Sequence, residues 1–257
     1  MNRCRAVLFV LAAGALLAGM HRPAEARSIQ EAGYARMVSG MQENAEFANS
    51  HVLFYSGPRN LKQVALTFDD GPEMQYTPQI LDVLKRNDVH ATFFLVGARA
   101  EKYPQIVKRI SDEGHAIGNH TYDHANLTKL TVEQVRDEVE QGERSLTKIL
   151  GYHPAIFRAP FGAANAPVLR EVAHMNYKII DWSVDTRDWA GVSTNQIVAN
   201  VRKEVFPGGI ILQHTFAGRG GLRNTVEALP QIIDELKANG YAFVTIPELL
   251  KIPSHME

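Results

Sequence analysis

Two adjacent acidic residues, Asp69 and Asp70, end an apolar stretch at residues 64–68 (VALTF). Two carboxylates at one site allow a division of labour, in which one binds a cation and the other remains free as a general base. Side chains alternate in direction along a strand, so the two carboxylates need not point the same way. The following Gly71-Pro72 bends the chain and can bring both to one site. The alternative is a solvated turn, because Asp-Gly-Pro is a common loop composition.

Two histidines four residues apart provide candidate metal ligands. His120 and His124 enclose the sequence TYD, and side chains at this spacing lie on one face if the segment is helical. Three protein ligands and one open position are typical of a catalytic metal site, and Asp69 or Asp70 could supply the third ligand. The alternative is a pair of surface histidines near the start of a helix.

An arginine ends a later predicted strand and opens the sequence RAPFG at residues 158–162. The guanidinium of Arg158 could hold a carboxylate through two parallel hydrogen bonds. Pro160 and Gly162 indicate a rigid loop, whose backbone N–H groups could face an oxyanion. An ordinary strand-to-helix turn with a surface arginine is the alternative.

Two further polar clusters end predicted strands. Residues 185–189 (DTRDW) place acids beside a large aromatic side chain, which could shape a sugar-binding wall, although a surface loop with a core tryptophan fits the same pattern. Residues 212–214 (LQH) end an apolar strand in His214, and a single histidine at a strand end is more often structural than catalytic. Each cluster gains weight from the others, because all five occur at the same edge of the predicted fold, where its strands end.

The elements that must position these residues alternate between strand and helix patterns. Such alternation predicts parallel strands joined by helical crossovers, so the expected fold class is α/β. A barrel and a doubly wound sheet both fit a domain of this size, and polar residues just after the strands are typical of the active-site end of a (β/α) barrel. The predicted strands are 64–68, 90–96, 115–118, 156–158, 178–184, 209–213 and 242–245, and the predicted helices are 78–86, 103–113, 131–150, 166–174, 194–205 and 225–239.

The N-terminal segment has the features of a secretory signal peptide. Arg3 and Arg5 precede an apolar run at residues 6–18, and residues 24–26 (AEA) have the small-x-small form of a cleavage site, so we predict cleavage after Ala26. A membrane anchor is the alternative, but this run is shorter than the roughly 20 apolar residues needed to span a bilayer. We therefore expect export to the periplasm or the medium, with no membrane span in the mature chain.

Composition narrows the classes of function. The chain has 257 residues and a formal net charge of -1, with no block of Lys or Arg, which disfavours a nucleic-acid partner. Its single cysteine, Cys4, lies in the predicted signal peptide, so the mature protein would have neither a disulfide nor a thiol nucleophile. We divide the remainder into a helical lead segment at residues 27–60 and a catalytic domain at residues 61–257.

In its five motifs and their order, the chain resembles the polysaccharide deacetylase family, the NodB-homology domain of carbohydrate esterases. The resemblance covers about residues 60–250, nearly the whole predicted mature chain. It implies a distorted (β/α) barrel, which agrees with the count of about seven parallel strands. The motifs are TFDDGP at 67–72, HTYDH at 120–124, RAPFG at 158–162, DTRDW at 185–189 and LQH at 212–214.

The resemblance also implies a role for each matched residue. Asp69 matches the general base, and Arg158 matches the residue that orients it. The backbone N–H of Phe161 matches the oxyanion donor, and Leu212 matches a wall of the pocket for the acetyl methyl group. The other matches are Asp70, His120 and His124 as ligands of a divalent metal, usually zinc, and Asp188, beside the aromatic Trp189, as the acid that pairs with the catalytic His214.

The activity implied by the resemblance is hydrolysis of N-acetyl groups on a GlcNAc-containing polysaccharide, such as peptidoglycan or a chitin-like oligosaccharide, with release of acetate. The family also includes acetylxylan esterases, so an O-acetyl ester is an alternative bond, and a non-catalytic glycan-binding barrel is a further alternative. Two departures from the family pattern bear on the substrate. Phe161 stands where many members have Tyr, and Thr215 stands where many have Asp.

Overall fold

The structure is a computed structural model that describes Phe47, residues 51–216 and residues 222–256. The predicted signal peptide and most of the predicted helical lead segment lie outside these residues. None of the helices in the described part of the chain is long and apolar enough to cross a membrane.

Parallel strands dominate the described residues. The strands are β1 Leu53–Phe54, β2 Gln63–Asp69, β3 Thr92–Leu95, β4 Ala116–Asn119, β5 His153–Pro154, β6 Ile156–Phe157, β7 Lys178–Ile180, β8 Val184–Asp185, β9 Gly209–His214, β10 Ala242–Phe243 and β11 His255–Met256. One sheet of nine strands follows the order β1-β7-β6-β4-β3-β2-β9-β8, with β10 paired to β2, and its strands pair in parallel. The predicted α/β class and distorted (β/α) barrel are therefore confirmed. β5 and β11 form a separate antiparallel pair.

Helices connect most of the successive strands. They are α1 Thr77–Arg86, α2 Gly97–Lys102, α3 Pro104–Asp112, α4 Val132–Leu150, α5 Ala166–His174, α6 Thr194–Glu204, α7 Arg223–Ala238 and α8 Ile246–Leu250. All six predicted helices are present, with ends shifted by at most two residues. The helix α2 was not predicted, because its short sequence GARAEK has no large apolar residue and buries only Gly97 and Ala100.

The predicted strand 178–184 is two short strands that join the two edges of the sheet. β7 pairs with β6 and β1, whereas β8 pairs with β9. Between them, the Asp181 N–H donates to the Phe54 carbonyl at 2.8 Å, and the Ser183 N–H donates to the Ile210 carbonyl at 3.1 Å. The chain thus steps from one edge of the sheet to the other, and we call residues 181–183 the barrel crossing.

The core packs between the sheet and its helices. Phe68 of β2 and Phe93 of β3 stack with ring centroids 5.2 Å apart, and α1 buries Ile80, Leu81 and Leu84 on one face. Nearly every residue of β2 and β3 is buried. Such continuous burial is typical of a parallel sheet that is covered on both faces. The packed core leaves the polar residues after the strand ends at one rim.

Candidate active site

One rim of the barrel carries all five polar motifs. β2 ends at Asp69, β8 at Asp185 and β9 at His214, while β4 and β6 end one residue before His120 and Arg158. Because these strands are parallel, their carboxyl ends meet at one edge. They surround a cavity of about 390 Å³ lined by Asp69, Asp70, His120, His124, Phe161, Trp182, Asp185, Trp189, Leu212, His214 and Phe216.

The cavity brings together eight of the ten residues that the sequence singled out. The other two are buried, and each contacts a residue of the lining. Arg158 bonds to Asp69, and Asp188 bonds to His214. The ten residues therefore form one site, although they come from five separate segments of the chain.

Arg158 is buried against the barrel crossing and holds Asp69. Its Nη1 donates to Asp69 Oδ1 and to Thr67 Oγ1, each at 2.8 Å. Its Nε and Nη2 donate to the carbonyls of Ile180 and Asp181, each at 3.1 Å. The bidentate pairing considered from the sequence is therefore wrong. One nitrogen reaches the carboxylate, and the rest of the guanidinium binds backbone oxygens at the barrel crossing.

Asp70 turns its carboxylate toward the histidines because its backbone is left-handed. Its φ is 72°, so the bend begins at Asp70 itself, ahead of the Gly-Pro pair. Asp70 Oδ1 lies 3.3 Å from His120 Nε2 and 3.0 Å from His124 Nε2. Burial raises the pKa of Asp70, but the hydrogen bonds and charges of both histidines in their protonated forms outweigh burial and hold it well below its usual range.

The segment that carries His120 and His124 is a loop, so the helical arrangement considered from the sequence is wrong. Thr121 and His124 have φ values of 65° and 67°, in the left-handed region. Thr121 Oγ1 accepts the N–H of His124 at 3.1 Å, and the two imidazole rings lie 5.0 Å apart. The left-handed backbone at Thr121 and His124 thus brings both Nε2 atoms to Asp70. The two rings are placed together by the loop and not by the turn of helix expected from the sequence.

The donor set fits a divalent metal. His120 Nδ1 lies 2.7 Å from the Arg158 carbonyl oxygen. Because a carbonyl oxygen only accepts hydrogen bonds, Nδ1 is the donor. In the neutral ring, Nε2 is then unprotonated and able to bind a metal. In the described part of the chain, Asp70, His120 and His124 form the one set of three possible ligands whose atoms lie within 4.8 Å of one another. Two imidazole nitrogens and a carboxylate oxygen suit zinc or a similar divalent transition metal.

His214 and Asp188 form a second pair beside this cluster. His214 Nδ1 lies 2.7 Å from Asp188 Oδ1, and Asp188 Oδ2 accepts the backbone N–H of His214 at 2.9 Å. Burial lowers the pKa of His214, but the charge and hydrogen bond of Asp188 outweigh burial and raise it to about 9. The imidazole is therefore protonated at neutral pH and able to donate a proton.

Two aromatic side chains on the rim are exposed. Phe161 is 66% exposed and Trp189 is 58% exposed. Phe161 has a φ of 61°, and its ring packs edge-on against His124 with centroids 4.5 Å apart. Trp189 Nε1 donates to Asp185 Oδ1 at 3.3 Å, whereas Leu212 is buried in the lining. The exposed aromatic rings and Asp185 are suited to contact a sugar ring, and the buried apolar side chain of Leu212 is suited to contact an acetyl methyl group.

Three residues of the site were not predicted. Trp182 and Phe216 line the cavity. The Trp182 ring also lies close to Gly162, where a Cβ atom would be only 2.7 Å from the ring. The Thr225 hydroxyl donates to Asp188 Oδ2 at 3.0 Å. The sequence signal for Trp182 was an aromatic residue inside a predicted strand, and Thr225 gave no signal because it lies 37 residues from its partner.

Comparisons with known proteins give a consistent result. The family model described as "Polysaccharide deacetylase" matches residues 56–180. A peptidoglycan-N-acetylglucosamine deacetylase of Bacillus cereus is 49% identical over 205 residues, which cover 80% of this chain and 74% of that protein. The peptidoglycan-N-acetylmuramic acid deacetylase PdaA of Bacillus subtilis is 36% identical over 255 residues, 94% of each chain. The crystal structure of the Bc1960 peptidoglycan N-acetylglucosamine deacetylase matches with a TM-score of 0.79 and 45% identity, covering 82% of this chain and 98% of that one.

Proposed function

Because this chain belongs to the polysaccharide deacetylase family, we propose that it is a metal-dependent hydrolase that removes N-acetyl groups from GlcNAc units of a polysaccharide and releases acetate. The observation that carries the proposal is the position of Asp69. Its Oδ1 is held by Arg158 at 2.8 Å, and its Oδ2 lies 4.0 Å from His120 Nε2, outside the closer cluster of His120 with Asp70. Asp69 thus lies beside the candidate metal site but outside its closest set of ligands.

Asp70, His120 and His124 would hold the divalent metal, and zinc is our first choice for two imidazoles and one carboxylate. A metal bound there supplies a Lewis acid that polarises the acetyl oxygen and lowers the pKa of water. The hydrogen bond from His120 Nδ1 to the Arg158 carbonyl supports this assignment. Metal-binding histidines almost always bond their second ring nitrogen in this way, which fixes the ring orientation.

Asp69 would act as the general base that takes a proton from the attacking water. Arg158 orients this carboxylate through Oδ1 and leaves Oδ2 on the side of His120. Asp69 is almost fully buried, so bulk water has little access to it. The backbone N–H of Phe161 would donate to the oxyanion that forms on the acetyl group.

His214 would donate a proton to the leaving nitrogen. An amide requires this proton, because an amine anion is a very poor leaving group. The pKa of His214, raised to about 9 by Asp188 against the effect of burial, keeps the ring protonated at neutral pH. This acid supports N-deacetylation in particular, since the leaving oxygen of an O-acetyl ester accepts the electrons more readily and has less need of it.

Peptidoglycan is the polymer that we propose as substrate, with a chitin-like oligosaccharide as the alternative. The two relatives described above carry the names of a peptidoglycan-N-acetylglucosamine deacetylase and a peptidoglycan-N-acetylmuramic acid deacetylase. Phe161 and Trp189 would contact sugar rings, and Leu212 would contact the acetyl methyl group. A cleaved signal peptide at residues 1–26 would deliver the catalytic domain to such a polymer outside the cytoplasm.

Acetate release by the purified mature protein tests the proposal, followed by mass spectrometry across peptidoglycan fragments, chitooligosaccharides and acetylxylan. Asp69→Asn should retain metal but lose most turnover, because an amide cannot take the proton from water. Near wild-type activity in Asp69→Asn would contradict the assignment of the base. Release from acetylxylan alone would favour an O-acetyl esterase, and no release from any polymer would favour a glycan-binding barrel.

A further inference from the structure

The loop that carries His124 rests on a carboxylate of α4. Glu138 Oε2 accepts the backbone N–H groups of Tyr122 and Asp123, each at 3.2 Å. These two residues come directly before His124. Because the segment is neither helix nor strand, these N–H groups have no regular backbone acceptor, and a side chain provides one instead.

Gly142, one helical turn after Glu138, lets α4 approach this loop. Residues four apart share one face of a helix, so both face the loop. A Cβ on Gly142 would lie 2.6 Å from Asn119 Oδ1 and 2.8 Å from the carbonyl carbon of Thr121, closer than packed atoms allow. The missing side chain therefore brings the backbone of α4 against the loop, within reach of the Glu138 carboxylate.

The start of α2 binds the carbonyl groups of the same loop. The N–H groups of Gly97 and Ala98 donate to the carbonyls of Thr121 and Tyr122, each at 2.9 Å. These bonds fix the carbonyl groups of the loop, whereas Glu138 binds N–H groups. The backbone of the loop is thus bound by both helices.

We propose that Glu138 is a positioning residue that holds loop 121–124 so that His124 meets Asp70 at a distance suited to binding one metal. The inference rests on the proposed metal-dependent function. His124 has a φ of 67° and follows Asp123 directly, so a backbone shift at Asp123 redirects the imidazole. His124 Nε2 lies 3.0 Å from Asp70 Oδ1, and a loop that is free to shift would lose this distance.

The test measures zinc affinity of the metal-free full-length mature protein by competition with a chromophoric chelator. Glu138→Ala should weaken zinc binding roughly 10- to 100-fold, the usual effect of removing a group that orients metal ligands. Glu138→Gln should retain most of the affinity, because both N–H groups use one oxygen, and an amide oxygen can replace it. Asp137 is exposed on the same helix, so Asp137→Ala removes the same charge and should bind zinc like the wild type.

A second measurement separates positioning from a merely structural role. The visible absorption of cobalt(II), bound in place of zinc, reports ligand geometry, and thermal unfolding of the metal-free proteins reports the fold. Glu138→Ala should change the cobalt spectrum while its metal-free melting temperature stays close to that of the wild type.

Three results would overturn the inference. Wild-type zinc affinity in Glu138→Ala overturns it and leaves the proposed function standing. A loss in Glu138→Gln as large as in Glu138→Ala also overturns it, since charge and not the hydrogen bonds would then be responsible. A wild-type protein that binds neither zinc nor cobalt overturns the metal-dependent function together with the role of Glu138.

Discussion

Asp188 Oδ1 lies 2.7 Å from His214 Nδ1, and the Asp188 side chain has no exposed surface. Its second oxygen accepts the His214 N–H at 2.9 Å and the Thr225 hydroxyl at 3.0 Å. A buried carboxylate that is fixed in this way stabilises a positive charge on the imidazole beside it. The pair therefore sets the protonation state of the group that we assign as the catalytic acid.

Asp188→Asn is expected to move the alkaline limb of the kcat profile to lower pH. The role that we propose for His214 requires its protonated form, and its pKa is about 9 because Asp188 outweighs the opposing effect of burial. Wild-type activity should therefore fall as pH rises through about 9. Without this carboxylate, only the smaller effects of the Asp69 and Asp70 charges oppose burial, so the pKa of His214 falls below about 9. A pH profile with the same alkaline limb in both proteins would contradict the role of Asp188.

The same pair should make folding stability depend on pH. The pKa of His214 is higher in the folded chain than its ordinary value of 6.5, so the folded state binds the proton more tightly. This contribution is fully present below pH 6.5 and is lost as pH rises through about 9. Urea unfolding at pH 6 and pH 9.5 should show a larger loss for the wild type than for Asp188→Asn.

Arg158→Ala is expected to lower the free energy of unfolding by about 3–5 kcal/mol, because it leaves the buried carboxylate of Asp69 without its partner. The two side chains are 1% and 5% exposed. Arg202→Ala is the control, since its pair with Glu235 is at the surface and should contribute less than about 1 kcal/mol. Urea unfolding of both variants at pH 7 measures the difference, and equal losses would contradict the buried pairing.

Removal of divalent metal is expected to lower the melting temperature of the wild type and to leave that of His124→Ala nearly unchanged. A ligand that binds only the folded state stabilises it, and His124→Ala removes one of three proposed metal ligands. Thermal unfolding with and without chelator, followed by return of zinc, measures this effect. His174 is exposed on α5, so His174→Ala should keep the wild-type response. A response of His124→Ala equal to that of the wild type would rule out His124 as a ligand.

Phe161→Gly is expected to raise KM several-fold while kcat changes much less. The substitution removes an exposed aromatic ring but keeps the backbone N–H that we assign to the oxyanion. Glycine also suits the φ of 61° at this position, where other residues are strained by about 1–2 kcal/mol, so the fold should not be weakened. Steady-state kinetics on a chitooligosaccharide separates kcat from KM. A collapse of kcat with unchanged KM would contradict this division.

Much of the fold followed from local patterns. The alternation of apolar strands with amphipathic helices predicted all six long helices and the parallel sheet, because strand and helix periods are set by residues close in sequence. The barrel crossing was missed for the same reason. Residues 178–184 were predicted as one strand, and only pairing with β1 and β9 divides them at Asp181 and Ser183.

The sequence by itself determined at which strand ends the candidate site residues lie and that they share one rim, because parallel strands place their carboxyl ends together. The tertiary structure alone decided how they meet. Arg158 reaches Asp69 with one nitrogen across 89 positions of sequence, and left-handed residues at Asp70 and His124 replace the expected bend and helix. Contacts between distant segments and single backbone torsions leave no periodic pattern in a sequence, so these features become visible only once the chain is folded.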